Sequence, residues 1–375
     1  MADDDQPLHR RAAALRRQLS AARTHLLLEQ VGLRRRAREK FRHAERTYFT
    51  SRGLEQATDD AIASYKAGRF PGGQLVADLC CGIGGDLCGL AGRGPVRGVD
   101  RSAELAVFAQ ANLAVVATAN QSISNRAHVD EVDVNSAADT AAWHIDPDRR
   151  SQGRCTTRIE LHDPPEQELD RLIARNRNAA IKLAPAADLP AAWRDRAESE
   201  WIGRGGECKQ LVAWFGELAT EPGRRRVTLL DSEGEVVRTF CCDASIVAPR
   251  TTHVGRYVCE PHAAVLAAGL AGALAAQHNL ESLTPRGSYL TSERPPQDAA
   301  LTLFEVVEVD RLDVKRLRRW LAECGIGRLE IKKRGVPIKP ETLRRQLRPR
   351  GDAAATLLLA NIDGAARAIL ASRVP

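Results

Sequence analysis

Asp78, Asp100 and Asp146, together with one glycine cluster, are the residues best placed to do chemistry. The segment Val76-Ala77-Asp78-Leu79-Cys80-Cys81-Gly82-Ile83-Gly84-Gly85-Asp86 joins a short apolar run ending in an acid to a glycine-rich turn. A helix-like stretch follows, and a second apolar run closes on Asp100. A strand, a tight turn whose backbone can approach a ligand, a helix and an acid at the next strand tip make a nucleoside-cofactor site. The dinucleotide fingerprint G-x-G-x-x-G needs a third small residue where this chain has Leu87, and it seats a pyrophosphate where Asp86 would repel it. An acid before the glycines, with Gly84 and Gly85 adjacent, suits a cofactor that is cationic and carries no phosphate. S-adenosylmethionine (SAM) fits. Asp78, Cys80, Gly82, Gly84 and Gly85 are then expected at its amino-acid end and Asp100 on the ribose hydroxyls. Asp133 is expected at the adenine amine, on a strip that Asp130 and Glu131 share.

The reacting groove of such a sheet lies beyond the carboxyl end of the fourth strand, where the chain reads Trp143-His144-Ile145-Asp146-Pro147-Asp148-Arg149-Arg150. An acid followed by proline presents a carboxylate and a main-chain carbonyl to an amine, holding its lone pair in line with a methyl group. Asp146, Pro147, Asp148 and Arg149 are therefore the candidate catalytic residues. A second run, His162-Asp163-Pro164-Pro165, is read as a decoy because no apolar strand precedes it and a helix begins at its end. The polar loop from Arg149 to Asp163 is long enough to be functional, and Lys182 at the end of a fifth strand borders the same groove.

These residues need a scaffold, and the pattern supplies one. Apolar runs at Gln74 to Leu79, Pro95 to Asp100, Ala127 to Val132, Ala141 to Asp146 and Asn178 to Ala184 alternate with helix-like segments, which predicts a parallel sheet wound by right-handed crossovers. Arg226 to Leu230 and Glu235 to Phe240 flank Asp231-Ser232-Glu233-Gly234 as a terminal hairpin. Residues 6–70 read as helical, with Arg34-Arg35-Arg36, Arg38, Lys40 and Arg42 forming a basic run that is either a solvated face or a nucleic-acid groove. Thr58-Asp59-Asp60 reads as the start of a short helix. An Ala/Leu-rich helix is expected from Pro261 to Asn279, and the proline-containing stretch from Thr284 to Ala300 as a linker. Beyond it come a strand (Leu301 to Val309), a helix capped by Asp313, a strand (Arg328 to Lys332), a helix from Pro340 and a strand (Ala355 to Ala360), a small α+β module.

Composition narrows the class. At 375 residues the chain supports two or three domains, and the nine cysteines show no C-x-x-C and no matching His cluster, so neither a metal site nor a disulfide framework is expected. No apolar run approaches a membrane span and no secretory signal follows Met1, so a cytoplasmic protein is expected. The net charge of +7 accords either with a polyanionic partner or with the Arg- and Ala-rich usage of GC-rich coding. In the last module Lys332, Lys333, Arg334 and Lys339 lead to Arg344, Arg345, Arg348 and Arg350, a density suited to phosphates. With Trp320 the one nearby aromatic, backbone binding of structured RNA is favoured over single-strand readout.

At these positions the chain resembles a bacterial group of class I SAM-dependent methyltransferases with a C-terminal THUMP-like domain, related in their core to trimethylguanosine synthase-like RNA methyltransferases. The resemblance rests on Lys40-Phe41, Phe49-Thr50, Gly53-Leu54-Glu55-Gln56-Ala57-Thr58, the turn from Asp78 to Asp86, Asp146-Pro147-Asp148-Arg149-Arg150, Ile181-Lys182-Leu183-Ala184-Pro185 and Ile331-Lys332-Lys333-Arg334-Gly335-Val336. It implies an α/β fold with a Rossmann-like methyltransferase sheet, a helical N-terminal region packed on the core, Thr58 against the cofactor and an RNA-binding last module. The expected domains are 1–70 (helical), 71–258 (SAM-binding), 259–300 (helix and linker) and 301–375 (THUMP-like). Two departures stand out. Asp148 and Arg149 replace the second proline and the aromatic that follow the motif acid in the related RNA enzymes, and His262 stands where the group tends to have Asp after Glu260-Pro261. The function expected is methylation of a nucleobase in RNA beside Asp146, the alternatives being a protein or small-molecule acceptor, or a degenerate fold that only binds RNA.

Overall fold

The computed structural model of the chain describes residues 8–119, 127–131, 139–150 and 156–374. Four helices come first: α1 (Leu8–Leu15), α2 (Ala21–Ala37), α3 (Ser51–Gln56) and α4 (Asp60–Ala67). Ser20 caps α2, Thr50 caps α3 and Asp59 caps α4, each side chain accepting from a backbone N–H of the first turn. Part of the basic run serves neither of its two expected uses. Arg34 donates to the Thr47 carbonyl (2.9 Å) and lies over the Tyr48 ring, and Lys40 donates to the Leu54 carbonyl (2.9 Å). These bonds fold the segment between α2 and α3, where Phe41, Phe49 and Leu54 bury Ile83 of the glycine turn.

The next elements are β1 (Val76–Leu79), α5 (Gly85–Ala91), β2 (Val96–Asp100), α6 (Ala103–Ala119), β3 (Ala127–Glu131), β4 (Ala142–Ile145), α7 (Glu166–Arg175), β5 (Ala179–Leu183), α8 (Ala191–Arg194), β6 (Glu198–Arg204), β7 (Glu207–Trp214), β8 (Arg225–Leu230) and β9 (Val236–Cys242). They form one nine-stranded sheet in the order β3-β2-β1-β4-β5-β7-β6-β8-β9. The first five strands run parallel, and the order reverses between β1 and β4, so a crevice opens at their carboxyl ends. Two strands of this sheet were absent from the sequence reading. The hairpin β6–β7 precedes the expected hairpin β8–β9, and it is β7 that lies antiparallel beside β5. Glu198 and Glu200 are fully buried in β6, where Arg69 and Arg226 neutralise Glu198, and Tyr65, Thr228 and Trp214 donate to Glu200. That network fastens the end of α4 to the sheet.

A second sheet follows, built from β10 (Tyr257–Pro261), β11 (Glu281–Ser282), β12 (Leu290–Ser292), β13 (Leu301–Arg311), β14 (Ile326–Arg334), β15 (Ala353–Ile362) and β16 (Ala365–Arg373). Its order is β11-β12-β10-β13-β16-β15-β14, and the helices are α9 (Ala263–Ala268), α10 (Ala271–His278), α11 (Val314–Glu323) and α12 (Pro340–Leu347). The stretch from Thr284 to Ala300, expected as a linker, instead contributes β12, and β10 is hydrogen-bonded to both β12 and β13. The single expected helix from Pro261 breaks in two at Gly269, whose φ of 69° ends α9. His262 caps α9 by accepting from the Ala264 N–H (3.1 Å), a role that Asp fills equally well, so this departure leaves the helix start intact. Helices α11 and α12 cover one face of the sheet, while on the other Val258 and Phe304 meet Leu358 and Ala360, so the sheet curls back on itself.

Candidate active site

The crevice at the β1–β4 switch point holds a cavity of about 710 Å³. Its walls come from α3 and the residues after it (Arg52, Thr58), the glycine turn (Cys80, Gly82, Gly85), the tip of β2 (Asp100), the residues after β4 (Asp146 to Arg149) and Asp163-Pro164. Ile83, Val99 and Leu105 add an apolar wall. Thus Thr58, Asp78, Cys80, Gly82, Gly85, Asp100, Asp146, Pro147, Asp148 and Arg149, expected from sequence, come together in one space. Gly84 sits one residue behind the wall, packed on Ala109 of α6. Asp133 lies outside the described residues. On the same strip Asp130 is held by His128 at 2.7 Å.

The turn itself explains its glycines. Cys80, Gly82 and Gly84 all have positive φ (55°, 57° and 87°), a conformation that only glycine adopts freely, and nothing stands within 4 Å of where a Gly82 side chain would begin. The backbone at Gly82 is therefore bare to whatever enters. Its N–H donates to Asp100 Oδ2 (2.8 Å) and the Ser102 N–H donates to Asp100 Oδ1 (2.9 Å), which fixes the carboxylate while leaving lone pairs on both oxygens. Burial pushes the Cys80 thiol well above its ordinary range, so it contributes shape and not reactivity.

The floor of the cavity is ionic. Asp78, in register with His144 on β4, takes the His144 Nδ1 hydrogen bond at 2.6 Å, and its second oxygen, Oδ2, is buried with no partner among the described residues. Burial raises its pKa, with His144 working against the rise. An acceptor left in this state is completed by an incoming donor, and a cation is the donor that an isolated carboxylate suits best. Asp86 is different. Lys66 of α4 stands 2.6 Å from it, Thr58 donates to it (2.7 Å) and Lys182 is 3.9 Å away; burial would raise its pKa, yet these cations and His144 hold it well below the carboxylate range. Its charge is spent internally, so repulsion by Asp86 was not a sound reason to exclude a pyrophosphate.

On the acceptor side, Asp146 Oδ2 accepts from Lys182 Nζ at 2.5 Å. Asp148 is gripped by Arg52 (2.8 Å) and pairs backbone to backbone with Asp163, whose carboxylate is tied to Arg101. The supposed decoy is therefore part of the site. It does precede α7, as expected, but Asp163 and Pro164 also line the cavity wall beside Asp148. Their contribution was hidden because the pairing partner lies fifteen residues upstream across the long loop.

The cations expected to meet RNA are not equivalent. Lys332 and Arg334 both pair with Glu260 of β10, the latter at 2.9 Å, while Lys333 and Lys339 are exposed. The Glu260 pairs bridge the curl of the second sheet. Arg344, Arg345, Arg348 and Arg350 on and after α12 are exposed and have no ion pair among the described residues.

A sheet ordered 3-2-1-4-5-7-6 with an antiparallel seventh strand, and a cavity at its β1–β4 switch point, define the class I SAM-dependent methyltransferase architecture. Residues 301–373 match the family model described as THUMP domain-like. Over 345 residues the chain is 33% identical to proteins from two strains of Mycobacterium tuberculosis described as S-adenosylmethionine-dependent methyltransferases, covering 90% of this chain and 92% of theirs. A putative methyltransferase from Porphyromonas gingivalis W83 superposes with a TM-score of 0.78 at 22% identity, covering 96% of this chain and 92% of that one, which supports the fold. The chain belongs to the S-adenosylmethionine-dependent methyltransferases that carry a THUMP-like C-terminal domain, and SAM is its cofactor.

Proposed function

We propose that the enzyme methylates a nucleobase in RNA, held beside Asp146, and that the cavity residues divide the work between cofactor and acceptor. The cofactor supplies an electrophilic methyl group. The unpartnered Oδ2 of Asp78 is the seat for its ammonium group, the bare backbone at Gly82 faces its amino-acid end, and Asp100 takes the ribose hydroxyls. Val99, Ile83 and Leu105 suit the flat adenine, and Asp133 is retained as the partner of its amine.

Asp146 keeps one oxygen on Lys182, which leaves Oδ1 for an acceptor N–H. Pro147 stiffens the chain that presents it, while Arg149 and the Asp148–Arg52 pair shape the entrance. No aromatic ring lines the cavity among the described residues, so orientation rests on the carboxylate. A base lying within a helix must first be flipped out.

The observation that carries the RNA reading is the C-terminal module: a THUMP-like sequence whose exposed Arg344, Arg345, Arg348 and Arg350 stand without acidic partners among the described residues. Such cations bind phosphates without reading sequence. Lys333 and Lys339 extend that surface, whereas Lys332 and Arg334 support it from within. Mass spectrometry of RNA nucleosides from a deletion strain and its parent tests this directly. One methylated nucleoside missing from the deletion strain, and restored by the gene but not by its Asp146→Ala form, is the expected result; identical nucleoside profiles redirect the search to a protein or small-molecule acceptor.

A further inference from the structure

Six ionisable side chains form one unbroken file under the cavity. Asp78 accepts from His144 Nδ1 (2.6 Å), His144 Nε2 faces Lys66 Nζ (3.2 Å), Lys66 pairs with Asp86 (2.6 Å), Asp86 stands 3.9 Å from Lys182, and Lys182 pairs with Asp146 (2.5 Å). With Lys66 charged, its ammonium donates to His144 Nε2, which leaves the His144 Nδ1–H for Asp78. Lys66, His144 and Lys182 are all buried and do not line the cavity. Both ends do. Asp78 Oδ2 is the unmet acceptor at one end, and Asp146 is partly exposed at the other.

As a device for stability this is a poor choice. Buried ion pairs are often no better than apolar side chains of the same volume, and here six groups on or beside five elements must be desolvated together. Three carboxyl groups face two lysine amines in the file, so carboxyls outnumber amines until a cation arrives at Asp78.

We propose that Lys66 and Lys182 are positioning residues of a single charge chain that couples the cofactor-side Asp78 to the acceptor-side Asp146. The chain belongs to the methyl-transfer site and rests on the placement of SAM in this cavity. Its two halves differ in charge stability. Asp86 and Lys182 are both settled as ions: for Lys182 burial opposes the charge, but Asp146 and Asp86 outweigh it. At the other half, burial drives Asp78 toward neutrality and Lys66 the same way. The groups facing Asp78 are His144 from β4, Lys66 from α4 and Asp86 from α5, with the neutral Cys80 and Cys81 thiols beside it and Asp100 beyond. A cofactor ammonium therefore competes with a proton for Asp78, and the contest is biased by the charge at Lys182 and Asp146.

Calorimetric titration of the full chain with SAM, from about pH 5 to about pH 9, reads that bias. The sign follows from the raised Asp78 pKa: a cation favours its ionised form, so binding expels a proton and affinity falls as pH drops below the midpoint. Lys182→Met removes a positive charge and raises the midpoint by about half a unit or more, about threefold weaker binding on the acid limb. Asp146→Asn removes a negative charge and moves it down by a similar amount. Lys182→Arg keeps the charge and stays close to the parent, and if Lys182→Met does not fold, Asp146→Asn against Lys182→Arg carries the test alone. Asp148→Asn is the control: it lines the same cavity but answers to exposed Arg52, so the midpoint holds. Opposite shifts for Lys182→Met and Asp146→Asn support the chain, and midpoints matching Asp148→Asn overturn it. A parent affinity independent of pH overturns the Asp78 end, whereas a parent that binds no SAM at any pH removes the cofactor placement itself.

Discussion

The two sheets of this molecule both set cations against buried carboxylates, and they do so for different ends. Beneath the first sheet's crevice, Lys66 and Lys182 are almost sealed from solvent and sit among Asp78, Asp86 and Asp146, all of which reach the cavity. In the second sheet Lys332 and Arg334 share the carboxylate of Glu260, remain partly exposed, and brace a curled sheet with their charged heads over Phe304 and Tyr289. Charge placed at a switch point becomes part of a site, and charge placed across a curl becomes a strut. Sequence density of basic residues does not separate the two.

That contrast can be broken at several points. The largest effect is expected from Asp146→Ala, which leaves the acceptor unoriented: methyl incorporation into RNA from a deletion strain should fall about a hundredfold or more, measured with labelled cofactor. Next is the packing that holds Lys66 in place. A side chain begun at Gly89 would meet the Ala63 backbone at 2.7 Å, so Gly89→Val should cost about 3 kcal/mol in urea denaturation by pushing α4 off α5. In the second sheet Glu260→Gln should cost only about 1 to 2 kcal/mol, because its partners keep access to water, and SAM affinity should be unchanged. If SAM affinity moved with it, strut and site would not be separate. The smallest and most selective effect concerns RNA. Replacing Arg344, Arg345 and Arg348 by Gln should lower the salt dependence of binding to an RNA hairpin by about two to three counterions, while Lys332→Gln should barely change it.

Much of this was legible in the sequence. The glycine turn, Asp100 and Asp146 reached the cavity because each ends a short apolar strand, a pattern that local reading handles well. What failed was long-range. Strand β6 was missed because Glu198 and Glu200 break its apolar alternation, and only arginines and a tyrosine far along the chain make them buriable. The Gly205-Gly206 pair joining β6 to β7 was a hairpin signal in plain view, as was Asp363-Gly364 before the unforeseen β16. Lys332 and Arg334 read as phosphate ligands because Glu260, their partner, is more than seventy residues away in sequence. The charge file has the same origin: Lys66, Asp86, His144 and Lys182 lie on four separate elements, and none forms a motif with another.

The most direct test of the site is calorimetry of SAM binding to the parent and to Asp78→Asn at neutral pH. The exchange keeps the shape and the His144 contact but removes the charge meant for the cofactor ammonium. We expect affinity to drop about thirty- to hundredfold, the worth of one charge-assisted hydrogen bond. An Asp78→Asn protein that binds SAM as tightly as the parent would contradict the placement of the cofactor on Asp78.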